Sequence, residues 1–284
     1  MFFIIGFGVV IGSVLGGYVL HGGNLGVLYQ PTEYLIIGGA GIGAFIVANP
    51  STVLKKCMAG FKLIFKSGAP FKKSDYIELL KFMFETFKFM KTQGMLKIEE
   101  HIEDPHNSDL FSKYPSVVNN HHAIDFICDY LRLMTMGVDD RYQLEDLMDA
   151  ELDKVHHEQE EVSLAIMTFG DSFPALGIVA AVLGIIITMG SITEPPEILG
   201  GLIAAALVGT FLGIFLAYGV VGPMGQFIGK YYGEEHQFVA CIKVALIAHV
   251  MGNAPTISVE YARKAIPGHV MPSFAEVEEA LSEI

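Results

Sequence analysis

Residues 170–190 read GDSFPALGIVAAVLGIIITMG, and after Asp171 this stretch holds no ionisable side chain. A helix needs about 20 apolar residues to cross the hydrocarbon core of a bilayer, so 172–190 predicts a membrane span. The same reading recurs on either side. Residues 1–32 contain no Asp, Glu, Lys or Arg, nor do 34–54 or 198–229. The expected spans are 2–20, 32–49, 172–190 and 199–222. The expected fold is an all-α integral membrane protein, four transmembrane helices with a large helical cytoplasmic domain. Its segments are a first transmembrane hairpin, 1–50; a cytoplasmic helical domain, 51–165; a second transmembrane hairpin, 166–223; and cytoplasmic C-terminal helices, 224–284.

Charge placement sets the orientation. Lys55, Lys56, Lys62, Lys66, Lys72 and Lys73 follow the second span, and no acid interrupts them between Glu33 and Asp75. The short loops 21–33 and 191–197 hold only His21, Glu33, Glu194 and Glu197 as possible charges. By the positive-inside rule the lysine side is cytoplasmic, with both termini, and the short loops lie outside. A net charge of −13 argues against nucleic acid as a partner. Cys57, Cys128 and Cys241 form no C-x-x-C and all face the reducing side, so disulfides are not expected.

Local signals divide the chain further. Pro31 starts the second span and Asn49-Pro50 ends it. Residues 53–66, with Phe65 and Lys66 at the far end, read as a basic amphipathic helix for the anionic headgroup surface. Gly68-Ala69-Pro70 is a turn. Helical patterns cover 75–93, 95–103, 107–136 and 140–163, the last with nothing to stop it running into the third span. Thr193-Glu194-Pro195-Pro196 is a rigid turn, and Gly222-Pro223 marks the exit of the fourth span. Residues 224–252 and 256–265 read as helices. Ser273 with Glu276 forms a capping box for a final acidic helix.

Small residues recur four apart: Gly8, Gly12, Gly16 on span one; Gly39 and Gly43 on span two; Gly201, Ala205, Gly209, Gly213, Ala217 on span four. In lipid, close backbone approach through such ladders supplies helix packing. They serve either one four-helix monomer or a homo-oligomer. No carboxylate is expected at mid-membrane depth, where transporters place an ionisable group. Asp171 sits at the cytoplasmic end of span three and reads as a cap on its first turn or as an ion group. Hydroxyls within the spans, such as Thr210 and Tyr218, can line a wet path without carrying a proton near neutral pH. Pro174 and Pro223 read either as helix boundaries or as hinges. His121-His122 and His156-His157 are adjacent pairs that diverge on a helix, so no metal site is expected. The charges from Lys88 to Asp104, alternating around Gly94, are either a solvated face or a docking face for a charged partner.

GGNLGVLYQP (22–31), GDSFPALGIVAAVLG (170–184) and VGTFLGIFLAYG (208–219) resemble the MotA family of flagellar motor stator subunits, within the wider MotA/TolQ/ExbB proton channel group. The resemblance runs nearly end to end. It implies five copies around two copies of a single-span MotB-type partner whose aspartate carries the ion. It implies torque on the rotor switch protein FliG, no enzymatic activity, and no cofactor beyond protons as the coupling ion.

By position, the resemblance implies that Pro174 and Pro223 are the two functional prolines and that Lys91 and Glu99 engage opposite charges on the rotor. Arginine is familiar at the Lys91 position; lysine keeps the sign but loses bidentate pairing, and Lys88 could share the contact. Thr210 is similar to the pathway threonine of span four, with Tyr218 further along. Sodium-driven relatives carry a threonine where this chain has Ala181, which offers no oxygen ligand, so protons are expected. The alternative is an ExbB/TolQ-type energy-transducing proton channel subunit. Those have three spans, against the four expected here. A transporter acting alone would need an intramembrane ion group of its own.

Overall fold

The computed structural model describes residues 2–64 and 70–284. Phe65, Lys66, Gly68 and Ala69, in the expected basic helix and turn, lie outside the described residues. Among the described residues the regular structure is helical, with no strand. The first span is α1 (Phe2–Leu20). Two short helices, α2 (Leu25–Leu28) and α3 (Pro31–Tyr34), lead through a π-helical turn (Leu35–Gly39) into α4 (Ala40–Ala48). Then come α5 (Ser51–Ile64), α6 (Lys73–Gln93), a 3₁₀ turn (Met95–Ile98), α7 (Glu99–Glu103), α8 (Pro115–Val118) and α9 (His121–Thr135). The single helix α10 runs from Arg141 to Gly190. Next, α11 (Pro196–Ile214) passes through a second π-helical stretch (Phe215–Val221) into α12 (Gly222–Val250). The chain closes with α13 (Pro255–Ala265) and α14 (Phe274–Ser282). Four helical runs, Phe3–Leu20, Leu25–Ala48, Arg141–Gly190 and Pro196–Val250, hold stretches long and apolar enough to cross a membrane.

Three local expectations are corrected. The helix expected over 107–136 is confined to α8 and α9, because Pro115 interrupts the pattern and the Asn120 side chain accepts from the Ala123 N–H, capping α9 there. Asp171 caps nothing, since α10 is already helical from Arg141 and has no N-terminus near it. Pro223 does not end the helix, the boundary reading allowed for it above. Proline lacks the N–H that a continuing helix would use; the preceding π-helical register already departs from the regular ladder, and the helix continues through it.

The chain divides into two compact units, residues 1–68 with 158–230, and residues 69–157 with 231–284. The boundaries differ from the expected cuts after 50, 165 and 223. Part of the reason is α5, which turns Val53, Cys57, Gly60 and Ile64 inward. The Cys57 thiol lies 3.8 Å from the Val162 carbonyl, and a Cβ on Gly60 would meet Ile228 at 3.5 Å and Val162 at 3.6 Å. All three cysteines are buried and free.

The second unit has an aromatic core. Tyr76, Phe82 and Phe87 on α6 are fully buried with Phe111, Tyr130 and Phe238. Phe71 stacks on Phe238 at 4.1 Å between ring centroids, and Phe82 meets Phe111 at 4.8 Å. The expected capping box opens α14, with Glu276 accepting from the Ser273 N–H at 2.6 Å and Ser273 Oγ from the Glu276 N–H at 3.3 Å.

On α13 the buried Arg263 guanidinium donates to both Glu260 oxygens, at 2.6 and 2.5 Å, and to the Pro272 carbonyl at 3.0 Å. Those bonds hold the Glu260 carboxyl below its ordinary value of 4.5. A depressed carboxylate stabilises the fold above its unfolded pKa and loses that contribution as pH falls through the folded one. We expect Glu260→Ala, which leaves the buried guanidinium half-paired, to cost about 2–3 kcal/mol. The loss should be large at neutral pH and fade in acid below about pH 4.5. Denaturation of the detergent-solubilised chain across pH measures it, and an equal loss at every pH would contradict the assignment.

Candidate functional site

The third and fourth spans pack backbone to backbone. A Cβ on Gly213 would lie 2.5 Å from the Phe173 carbonyl oxygen and 3.0 Å from the Gly177 Cα; one on Gly177 would lie 2.7 Å from the Gly209 oxygen. Gly184 sits against Ala206, and Gly170 against Val221 and Gly222. Ser163 Oγ donates to the Gly225 carbonyl at 2.9 Å. Only small residues allow this approach, and in lipid it replaces the hydrophobic force as the source of packing. The contacts run from Ser163, about three turns before Pro174, to Gly184 in the second half of the third span.

Against this pair lies the start of the second span. Asn24 accepts from the Gly26 N–H at 2.8 Å, Gln30 donates to the Val27 carbonyl at 3.0 Å, and Tyr34 Oη donates to the Leu28 carbonyl at 2.8 Å. These bonds fold the 24–34 segment into a tight lead-in. Pro31 occupies the first turn of α3, where its missing N–H costs nothing.

The segment delivers Glu33 into the protein. Its side chain is 6% exposed, and Oε2 has no hydrogen-bond partner. That oxygen lies 2.5 Å from where a Gly209 Cβ would stand, a point also 3.1 Å from Ala180 Cβ and 3.3 Å from the Ala181 nitrogen. The depth follows from the helices. The Phe45 and Phe169 rings pack at 4.9 Å between centroids, tilted by 36°. Glu33 lies twelve residues before Phe45 and Ala181 twelve after Phe169, each about 18 Å away at the α-helical rise. Ala181 is also the midpoint of 172–190. The expectation of no carboxylate at mid-span depth is therefore corrected: this chain carries one.

The other expected site residues fall into two groups. Ala181, half-buried, faces the neighbourhood of Gly209, with Thr210 next in sequence and also half-buried. Pro174 is half-buried inside α10, immediately after the Phe173 carbonyl that touches Gly213; Pro223 is exposed at the start of α12. Tyr218 is 69% exposed within the second π-helical stretch, away from the Glu33 pocket. In the second unit, Lys91 ends α6 and Glu99 begins α7, both exposed, joined across Gly94, whose φ of 93° favours glycine. Neither enters an ion pair among the described residues. Lys88 is engaged, at 3.3 Å from the Ile284 carbonyl and over the Phe84 ring. Among the described residues no group of His, Cys, Asp and Glu could hold a metal ion.

Glu33 and the Gly177 contact escaped the sequence reading. An acid two residues after Pro31 has the form of an ordinary first-turn carboxylate. The signal lay in its company, a proline-started helix with no other acid before residue 75.

Small-residue packing of two spans, a carboxyl buried beside them and exposed charges on either side of a turn in a separate unit define an all-helical membrane protein with an ionisable group among its spans. Family models match accordingly: motility protein A N-terminal over residues 4–94, and the MotA/TolQ/ExbB proton channel family over 120–240. Motility protein A from Salmonella typhimurium is 43% identical over 98% of this chain and 94% of its own length; that of Escherichia coli K12 is 41% identical over the same shares. Chemotaxis protein LafT of Vibrio parahaemolyticus is 34% identical over 96% of both. The structure of C. jejuni MotAB shares the fold at TM-score 0.79 and 18% identity, covering 96% of this chain and 98% of that one. The chain belongs to the motility protein A family.

Proposed function

We infer that this protein is a stator subunit of the bacterial flagellar motor and, with a MotB-type partner, forms a proton-conducting complex that converts ion flow into torque. The observation that carries this is the near full-length similarity to motility protein A, joined to four spans and a helical unit presenting unpaired charges. Relatives named motility protein A favour this over an ExbB/TolQ-type channel subunit.

The finer assignments have separate supports. A single-span partner supplies the ion-binding aspartate, as the family resemblance implies. Several copies surround that partner, a pentamer by family resemblance. Gly8, Gly12, Gly16 and Gly43 have no atom within 4 Å of an added Cβ, so these ladders are free to meet other helices. Protons are the coupling ion: Ala181 offers no oxygen, and Glu33 alone among Gly and Ala cannot surround a hard cation that wants several oxygens. Lys91 and Glu99 meet opposite charges on the rotor protein FliG. The complex sits in the cell inner membrane with both termini cytoplasmic, because the lysine run follows the second span.

Pro174 breaks the hydrogen-bond ladder where the third and fourth spans touch, and there the helix can bend as the proton passes. Restoring the bond should stiffen it. In a strain lacking its own stator genes, the wild-type chain with its partner is expected to restore swimming. Pro174→Leu is expected to reach the membrane at normal level and give none. Failure of the wild-type pair to restore swimming would overturn the stator reading.

A further inference from the structure

We propose that Glu33 is a proton-binding site belonging to this chain, a relay carboxyl that receives each proton at mid-span and hands it to the acid of the single-span partner. The inference rests on the stator reading and deepens it, since that reading requires an acid only on the partner.

Four observations converge on the residue. Burial is the first: a carboxyl 6% exposed among Gly209, Ala180 and Ala181 is costly unless it does something. The second is the orphan Oε2, which no hydrogen bond occupies. A structural carboxyl would be tied on both oxygens. Third, the pocket is shaped for it, because at 2.5 Å even an alanine Cβ at position 209 would collide with Oε2. The fourth is local backbone. The π-helical turn Leu35–Gly39 begins two residues later, and such departures recur at functional sites.

Nothing else nearby could take the role. From Ser172 to Gly190 and from Ile198 to Ile214 the third and fourth spans carry no acid, base or tyrosine. On its own segment the nearest titratable groups are Tyr29 and Tyr34, which pack on each other at 6.0 Å, with Tyr34 Oη committed to Leu28. Tyr18 lines a separate apolar cavity of about 350 Å³ with Val14, Val27, Leu207 and Phe211.

The step balances as a proton transfer. A proton from outside forms an O–H bond on the Glu33 carboxylate. That bond breaks as an O–H bond forms on the partner's carboxylate. Glu33 is left charged, and the next proton refills it. One proton moves and no other bond changes.

The test uses the full complex in stator-deficient cells, reading bead rotation at low load across roughly pH 6 to 8 together with membrane content. Glu33→Gln keeps the shape and cannot relay a proton. We expect wild-type membrane content and rotation slowed about a hundredfold, the modest end for loss of a positioned proton-transfer group. Glu33→Asp, which keeps the chemistry with a shorter reach, should give partial rotation with a shifted pH profile. Gly209→Ala, which pushes the carboxyl without removing it, should also shift the profile, and it decides the matter if Glu33→Gln fails to accumulate. Wild-type rotation of Glu33→Gln at every pH, or an unchanged profile in Gly209→Ala, overturns the proposal while leaving the stator reading intact. Failure of the unmutated pair to rotate the bead sinks that reading instead.

Discussion

Gly213→Val is expected to abolish motility by preventing assembly, with little of the chain recovered from the membrane. The added Cβ would stand 2.5 Å from the Phe173 carbonyl oxygen and 3.0 Å from the Gly177 Cα. Both are main-chain atoms of the facing helix, so no side chain can rotate away. The helices must part, and parting forfeits the close contact that holds spans together in lipid. Overpacking a core by a methylene or two costs about 1–3 kcal/mol even where side chains can yield. Here they cannot, and a fold's whole margin is only about 5–15 kcal/mol. Gly177→Val should behave alike, its Cβ lying 2.7 Å from the Gly209 oxygen. Gly190→Val is the control: nothing lies within 4 Å of its Cβ position at the end of α10, and assembly should persist. Membrane content and protease resistance of the solubilised chain distinguish the cases. Normal content of Gly213→Val would refute the packing described.

Lys91→Glu and Glu99→Lys, combined, are expected to leave assembly untouched and remove torque. Each side chain is exposed and outside any ion pair among the described residues, so reversal should change stability by no more than about 0.5 kcal/mol. At the proposed contact with the rotor the effect is larger, since like charges facing across an interface cost several kcal/mol. Reversing the opposing rotor charges should restore rotation, which a general folding defect could not permit. Lys91→Arg provides a finer test. Arginine can pair bidentately with a carboxylate where lysine cannot, so torque near stall should be retained or increased. Full swimming by the double reversal without a rotor change would remove both residues from the contact.

Much of the architecture could be read in one dimension. Transfer free energy adds residue by residue, so uncharged runs of span length located all four helices long and apolar enough to cross a membrane. The Ser273–Glu276 capping box and the run of α10 into the third span were legible for a similar reason: caps and helical periodicity are local. Over 107–136, periodicity alone runs through Pro115 and the Asn120 cap, where backbone chemistry prevails over pattern. At Pro223 the error was opposite. A proline that ends an isolated helix is carried here by a π-helical register visible only in three dimensions.

The candidate site divides along the same line. The charged ends of α6 and α7 are exposed, and exposed charge is legible because charge stays in water. The proline and alanine positions were reached through family resemblance. In sequence Glu33 has the form of a loop acid. Its depth depends on where the second span's lead-in lands against Ala180, Ala181 and Gly209, 147 to 176 residues further along the chain. The sequence by itself determined which segments belong in lipid and which face carries charge, because solvation is a property of composition. Only the tertiary structure decided that one carboxyl lies between the spans, because burial depends on what packs against a residue.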